Sequence, residues 1–281
     1  MKHVMTKTQQ ILAASLLAAT LSSGAMAQAP APAASHDEQA ADLAKKLSNP
    51  LAALISVPIQ YNYDKYGGAN DGAAVSRVTV QPVIPISLNN DWNLISRTIF
   101  PIIDQKDFPV GALNESGLGD TTASLFFSPK APTAGGWIWG AGPVFLLPTA
   151  TQDVLGAEKW GLGPTAVALK QTGPWTVGML ANHIWSVGGN DSRNDVSATF
   201  LQPFVSYTTK THTTFSANTE STYDWKSEQW QVPLNVAVAQ LFKVGTQMLQ
   251  FQVAGRYWAV APGNGPEGWG LRVQLTLLFP K

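Results

Sequence analysis

From residue 51 onward, apolar side chains recur at every second position in segments of about ten residues, the strand length a β-barrel needs to cross a bilayer. The last segment shows the pattern plainly: Trp269, Leu271, Val273, Leu275, Leu277 and Phe279 alternate with Gly270, Arg272, Gln274 and Thr276. So do Ile55, Val57, Ile59, Tyr61 and Tyr63 against Ser56, Gln60 and Asn62, and Leu249, Phe251, Val253 and Tyr257 against Gln250, Gln252 and Arg256. In an extended chain successive side chains point to opposite faces, so each segment carries one apolar and one polar face. Lipid demands an apolar outside, and closure leaves no unpaired strand edge. The pattern therefore predicts an all-β chain: a transmembrane antiparallel up-and-down β-barrel of about 12 strands over 51–281, preceded by a short N-terminal helix.

The segments fall near 51–63, 75–88, 91–103, 118–128, 136–149, 161–171, 174–187, 197–208, 212–223, 231–242, 248–260 and 268–279. Their connections alternate in length. Tight links at 88–91, 171–174, 209–211 and 243–246, and a moderately short one at 128–135, are interleaved with longer ones at 64–74, 104–117, 150–160, 188–196, 224–230 and 261–267. Short periplasmic turns and longer external loops are the outer-membrane plan, and an even strand count puts both chain ends on the short-turn side. A soluble sandwich predicts no such alternation. Acidic residues from Asp64 and Asp71 through Asp153, Asp195 and Glu228 to Glu267 lie in or beside the long loops, whereas Lys130, Lys170, Lys210, Lys243 and Lys281 mark the other side. Acidic loops are either simply solvated or share divalent cations with lipopolysaccharide phosphates. Tryptophans sort into two bands, Trp92, Trp137 and Trp175 at one rim and Trp160, Trp185, Trp258 and Trp269 at the other, as interfacial girdles would place them.

Composition excludes several classes. Charged residues make up 13% of the 281, about half the usual ~25%, while 45% are hydrophobic. The formal net charge is zero, which offers no basic field to nucleic acid, and the absence of cysteine removes disulfides, thiolate metal sites and cysteine nucleophiles. At the N-terminus Lys2 and Lys7 precede an apolar run, 11–21, and then Ala25-Met26-Ala27, the form of a cleaved signal peptide over 1–27. An Ala/Pro linker follows, and Leu43, Leu47 and Leu51, spaced by four before Asn49-Pro50, predict one short helix over 35–47. The organisation expected is thus signal peptide 1–27, linker and helix 28–50, barrel 51–281. The longest uncharged segment, 131–152, is broken by Gly135, Gly136, Gly140, Gly142, Pro143 and Pro148, so no helical span is expected.

Parity sends Arg77, Arg97, Arg256 and Arg272 to the inner face, together with Asn182, Asn218, Glu220 and Gln274; Asn62, Gln81, Asn235 and Gln252 complete a polar lining. Arginine suits that place because it stays charged and offers five donors. Two arrangements are open: an internal ion-pair network with Glu220 as counter-ion, or a solute path lined by the arginines. An enzyme is not expected. His183 is the sole candidate base; Trp185 occupies the position on its own strand where a serine would share its face, and Ser192 and Ser197 are reachable only through a loop. No metal site, cofactor motif or phosphate-cradling glycine loop stands out, and Gly140-x-Gly142 and Gly161-x-Gly163 lie in strands without following helices. Phe279 holds the place of the terminal aromatic that serves as a barrel-assembly signal.

The runs Leu47-Ser48-Asn49-Pro50, Val80-Gln81-Pro82-Val83-Ile84-Pro85, 91–98 (DWNLISRT), 127–132 (FSPKAP), 142–149 (GPVFLLPT) and 266–270 (PEGWG) resemble bacterial proteins labelled "neuromedin U" or "transporter", related to the family called MetA-pathway of phenol degradation. The resemblance spans essentially the whole chain after the signal. It implies an outer-membrane barrel passing small, hydrophobic or aromatic molecules, and it brings no established catalytic or binding residues. Expected partners are outer-membrane lipids and lipopolysaccharide, the barrel-assembly machinery and a small-molecule solute. The expected place is the cell outer membrane after cleavage near Ala27. The competing expectation is a non-conducting structural or adhesion barrel acting through its acidic external loops.

Overall fold

The alternating segments pair in sequence order. In this computed structural model, which describes residues 36–108 and 114–279, they form β1 (Ile55–Tyr66), β2 (Ala74–Val80 and Val83–Ser87), β3 (Trp92–Lys106), β4 (Glu115–Leu118 and Thr121–Pro129), β5 (Trp137–Leu147) and β6 (Lys159–Thr172). The rest of the wall is β7 (Trp175–Gly189), β8 (Ser197–Thr208), β9 (Thr213–Thr219 and Ser221–Asp224), β10 (Gln229–Val244), β11 (Gln247–Val260) and β12 (Pro266–Phe279). Each strand runs antiparallel to the next, and β12 returns to β1 with Ile55 opposite Phe279 and Tyr66 opposite Pro266, closing a 12-strand barrel. The wall starts at Ile55 rather than 51, because Leu51 and Leu54 turn inward to pack in the lumen. The signal-peptide and linker readings, and residues 280 and 281, lie outside the described residues.

Three strands are interrupted for local reasons. Pro82 has no N–H to give, so β2 breaks there and its carbonyl instead accepts from Thr98 N–H. In β4 the break falls at Gly119-Asp120, where the aspartate turns to bind loop backbone. Glu220 splits β9: the register that sets Thr219 against Leu234 and Thr222 against Gln231 puts Pro233, another residue without N–H, across from it. The tightest turns are two residues long, Gly173-Pro174 and Gly245-Thr246. Both glycines have positive φ, 55° and 58°, the backbone such hairpins need at their first turn residue to follow the sheet twist.

The outer wall is apolar. On β10, Leu234, Val236, Val238 and Phe242 are exposed, Val236 by 68%, while the intervening Asn235, Ala237, Ala239 and Leu241 are buried, Asn235 to 2%. The same alternation runs through Trp175, Val177 and Met179 of β7 and Trp269, Leu271 and Leu275 of β12. Water could not tolerate so continuous a belt, since the largest apolar patch on a soluble monomer is typically only ~300–600 Å²; lipid can. Trp137, Trp139 and Trp175 stand near the short-turn rim, Trp139 edge-on to Trp92, and Trp160, Trp185 and Trp269 stand at the other. Trp258 departs from the girdle expectation. It shares the inward parity of Arg256, and its Nε1–H donates to Asp64 Oδ1 at 2.8 Å.

Both ends of the lumen are occupied by the chain itself. The helix α1 (His36–Leu47) and the segment after it enter at the short-turn end, where the fully buried Ala44 packs with Leu54, Leu241 and Leu278. The side-chain amide of Gln171 donates to Lys45 O at 3.0 Å. Deeper in, Leu51 joins Ile95, Phe126, Val167, Leu169 and Leu180. It lies over Gly140, whose Cβ, if it had one, would stand 3.0 Å from Leu51 Cδ2, so glycine is what makes that seat. At the other end the loop 148–158 folds in, its 3-10 turn Asp153–Leu155 burying Leu155 against Val75 and Ile103. Asp120 fastens this loop by accepting the N–H of Ala150 at 3.2 Å and of Ala157 at 2.6 Å. Among the described residues no helix is long and apolar enough to cross a membrane, which says nothing of strands.

Candidate functional site

Between the helical plug and the inward loop lies a cavity of about 810 Å³, bounded at one end by Leu47, Ser48, Asn49 and Pro50 and at the other by Leu155, Gly156 and Ala157. Its wall is the polar parity of the strands. The structure places Arg77, Arg97, Asn182, Asn218, Glu220, Arg256, Arg272 and Gln274 all on this lining, with Asn62, Gln81 and Gln252. Asn235 faces inward as parity expects but is buried beneath the lining, where its Nδ2 donates to Asn218 Oδ1 at 2.8 Å.

The arginines divide into two pairs with different surroundings. Arg272 meets Glu220 through two parallel bonds, Nη1 to Oε1 at 2.8 Å and Nη2 to Oε2 at 2.7 Å, and its Nε donates to Asn62 Oδ1 at 2.7 Å. Three of its five donors are thereby taken. Arg256 donates Nη1 to Glu220 Oε2 at 3.1 Å and lies 4.6 Å over the Trp258 ring. Its Nε stands 3.2 Å from Asp64 Oδ1 but is misaligned for a hydrogen bond, so that contact is electrostatic only. Two guanidiniums thus face two carboxylates, and the charge of this half of the ring cancels.

Arg77 and Arg97 are left outside that cancellation. Arg97 donates Nη2 to the neutral Gln81 Oε1 at 3.0 Å, and Gln81 is oriented in turn by its own bond to Thr79 Oγ1 at 2.8 Å. Among the described residues neither Arg77 nor Arg97 has a carboxylate within 4.0 Å. Asp120 also borders the cavity, with both carboxylate oxygens engaged by loop backbone. Part of the lower wall is different in kind: Val83, Leu180, Phe200 and Phe204 belong to or pack against the Leu51 cluster, while Ser206, Ser216, Gln250 and Thr276 also line the cavity. The cavity therefore has a polar upper part, an apolar stretch of floor, and Arg97 at the boundary, since the register sets Arg97 directly opposite Val83.

Sequence parity found the arginines but could not say which were neutralised; Asp64 and Trp258, the partners that distinguish Arg256, lie near strand ends where parity is least informative. A second arrangement escaped the sequence reading. Ser197 opens β8, and the register that sets Thr199 against His183 brings it close: Ser197 Oγ is 3.5 Å from His183 Nε2, while Thr199 Oγ1 is 2.7 Å from Nδ1. Ser197 is therefore a strand neighbour of His183, not a residue reached only through a loop. At 3.5 Å the serine contact is at the limit of a hydrogen bond. The ring lies 4.1 Å from that of Trp185, on the outward wall, as an interfacial aromatic would. At the long-loop rim, Lys159 and Ser186 each reach Asp195 Oδ1 at 3.1 Å, and these hydrogen bonds hold its carboxyl below the usual carboxylate range. Arg193, with Nε 3.3 Å from Glu158, donates to Asp153 O and Gly156 O and so ties the loop 190–196 to the one that folds inward.

The sequence matches no protein-family model and no curated protein. Solved structures similar to it are bacterial outer-membrane barrels. An outer membrane channel from Pseudomonas putida F1 superposes with TM-score 0.61 at 17% identity over 80% of this chain and 94% of that one. The NanC porin gives TM-score 0.48 at 11% identity, over 79% of this chain and 98% of its own. Outer membrane phospholipase A from Escherichia coli gives 0.45 at 12%, over 81% and 90%. The first of these supports the fold, an outer-membrane-type 12-strand barrel.

Proposed function

We propose that this barrel sits in the outer membrane and passes small molecules through its lumen, with the cavity as a waiting position between two internal closures. The carrying observation is the cavity of about 810 Å³, polar on one side and apolar on the other, lying on the barrel axis rather than at its surface. A barrel built only as a scaffold gains nothing from such a space, because every lost contact in a void costs packing energy. The resemblance to transporter-labelled proteins points the same way and suggests hydrophobic or aromatic solutes. The apolar outer wall and the acidic external loops fit partners of lipid and lipopolysaccharide.

A specific feature favours the other reading, a non-conducting structural barrel. The plug α1 and the Arg256–Glu220–Arg272 network both fill the lumen. Solute flux decides between them. Purified protein in liposomes is expected to admit small solutes, and a variant lacking 28–49 to admit them faster while keeping its β-sheet circular dichroism. Folded samples of both that stay impermeable would overturn the channel.

A further inference from the structure

We propose that Arg97 is the recognition point for a small monocarboxylate with an apolar body. The carboxylate takes the free edge of the guanidinium, and the body lies on the floor made by Val83, Leu180, Phe200 and Phe204. The proposal rests on the solute-path reading of the same cavity.

Charge distribution is the first support. Arg256 and Arg272 are occupied by Glu220 and Asp64, so an arriving anion would have to break existing ion pairs to reach them. Arg97 requires no such exchange: its side-chain hydrogen bond among the described residues goes to one neutral amide oxygen, leaving most of its five donors for a guest. Its planar fork matches a carboxylate, which can accept two parallel N–H bonds. Arg77, on the same lining, adds positive field without a carboxylate of its own.

The second support is what stands next to it. Val83 is directly opposite Arg97 on the neighbouring strand and packs on the Leu51 cluster, as do Phe200 and Phe204. A small inorganic anion would satisfy the guanidinium and leave this floor wet, whereas a neutral apolar solute would cover the floor and leave the guanidinium unpaired. A molecule with one anionic end and a short apolar body satisfies both, and a second charge on that body would be stranded against the floor.

The test measures binding to the full, folded protein in non-ionic detergent by isothermal titration calorimetry, with hexanoate as probe, hexanamide lacking the charge, and acetate lacking the body. Hexanoate is expected to bind at least about tenfold more tightly than either comparison compound, the factor expected of a hydrogen bond to a charged group. Arg97→Gln should abolish the preference for hexanoate over hexanamide without weakening hexanamide, and Arg97→Lys should restore part of it. Equal affinity for hexanoate and hexanamide in the native protein, or an unchanged preference in Arg97→Gln, overturns the proposal. Because the native protein alone can refute it, a poorly folding variant does not shelter it. Flux measured in parallel separates the two claims: hexanoate binding without solute flux defeats the channel, and flux without hexanoate preference defeats the recognition site alone.

Discussion

Glu220 is the residue on which the inner network turns. Among the described residues it alone is ion-paired with both Arg256 and Arg272, and the proline opposite it is what frees the backbone there from a regular ladder. Glu220→Gln would leave two well-buried guanidiniums sharing Asp64 alone, a loss of about 3 kcal/mol or more by analogy with other broken buried pairs. A clear fall in the unfolding temperature is the expected readout, and Arg272→Gln in the same chain should recover part of it, since the pair is then removed as a unit. An Glu220→Gln protein that melts like the native one would show that the network carries no stability. Sequence parity brought Glu220, Arg256 and Arg272 to one face. It could not place both guanidiniums within 3.1 Å of the Glu220 carboxylate, because that contact depends on strand register and on how the barrel closes.

At the scale of elements, the last strand and the first helix have different dependence on sequence. In β12 the apolar–polar alternation runs from Trp269 to Leu277, and Phe279, exposed on the outer wall opposite Ile55, completes the seam. If it serves as the assembly signal, Phe279→Ala should lower the amount of protein reaching the outer membrane several-fold, whereas Phe251→Ala, equally outward on β11, should lower it little. Equal membrane levels of the two variants would remove the special role. The helix is legible from its leucine spacing, but not its seat. Leu43, Leu47 and Leu51 predict an apolar stripe, and only the lumen, with Leu241, Leu278 and the gap over Gly140, determines what that stripe packs against. Pro82 and Pro233 are visible in the sequence as strand breakers, yet their consequence depends on the neighbour they face.

For the whole molecule the sidedness of the loops makes a direct prediction. Trypsin added to intact cells should cut after Lys226, whose side chain is half exposed in the link between β9 and β10, and should spare Lys210 in the turn after β8 and Lys243 near the end of β10. Cleavage at the latter pair would invert the topology. Strand number, strand order, inner and outer face, and the alternation of loops were all present in the sequence, because a two-residue period is local and lipid on one side enforces it at every position. The placement of Trp258 inward, the approach of Ser197 to His183, the inward fold of loop 148–158 and the division of four arginines into a cancelled and an uncancelled pair were not. Each is a contact between residues distant in the chain, settled by register, strand ends and closure of the barrel; a periodic pattern says which way a side chain faces, and only the tertiary structure says what it meets there.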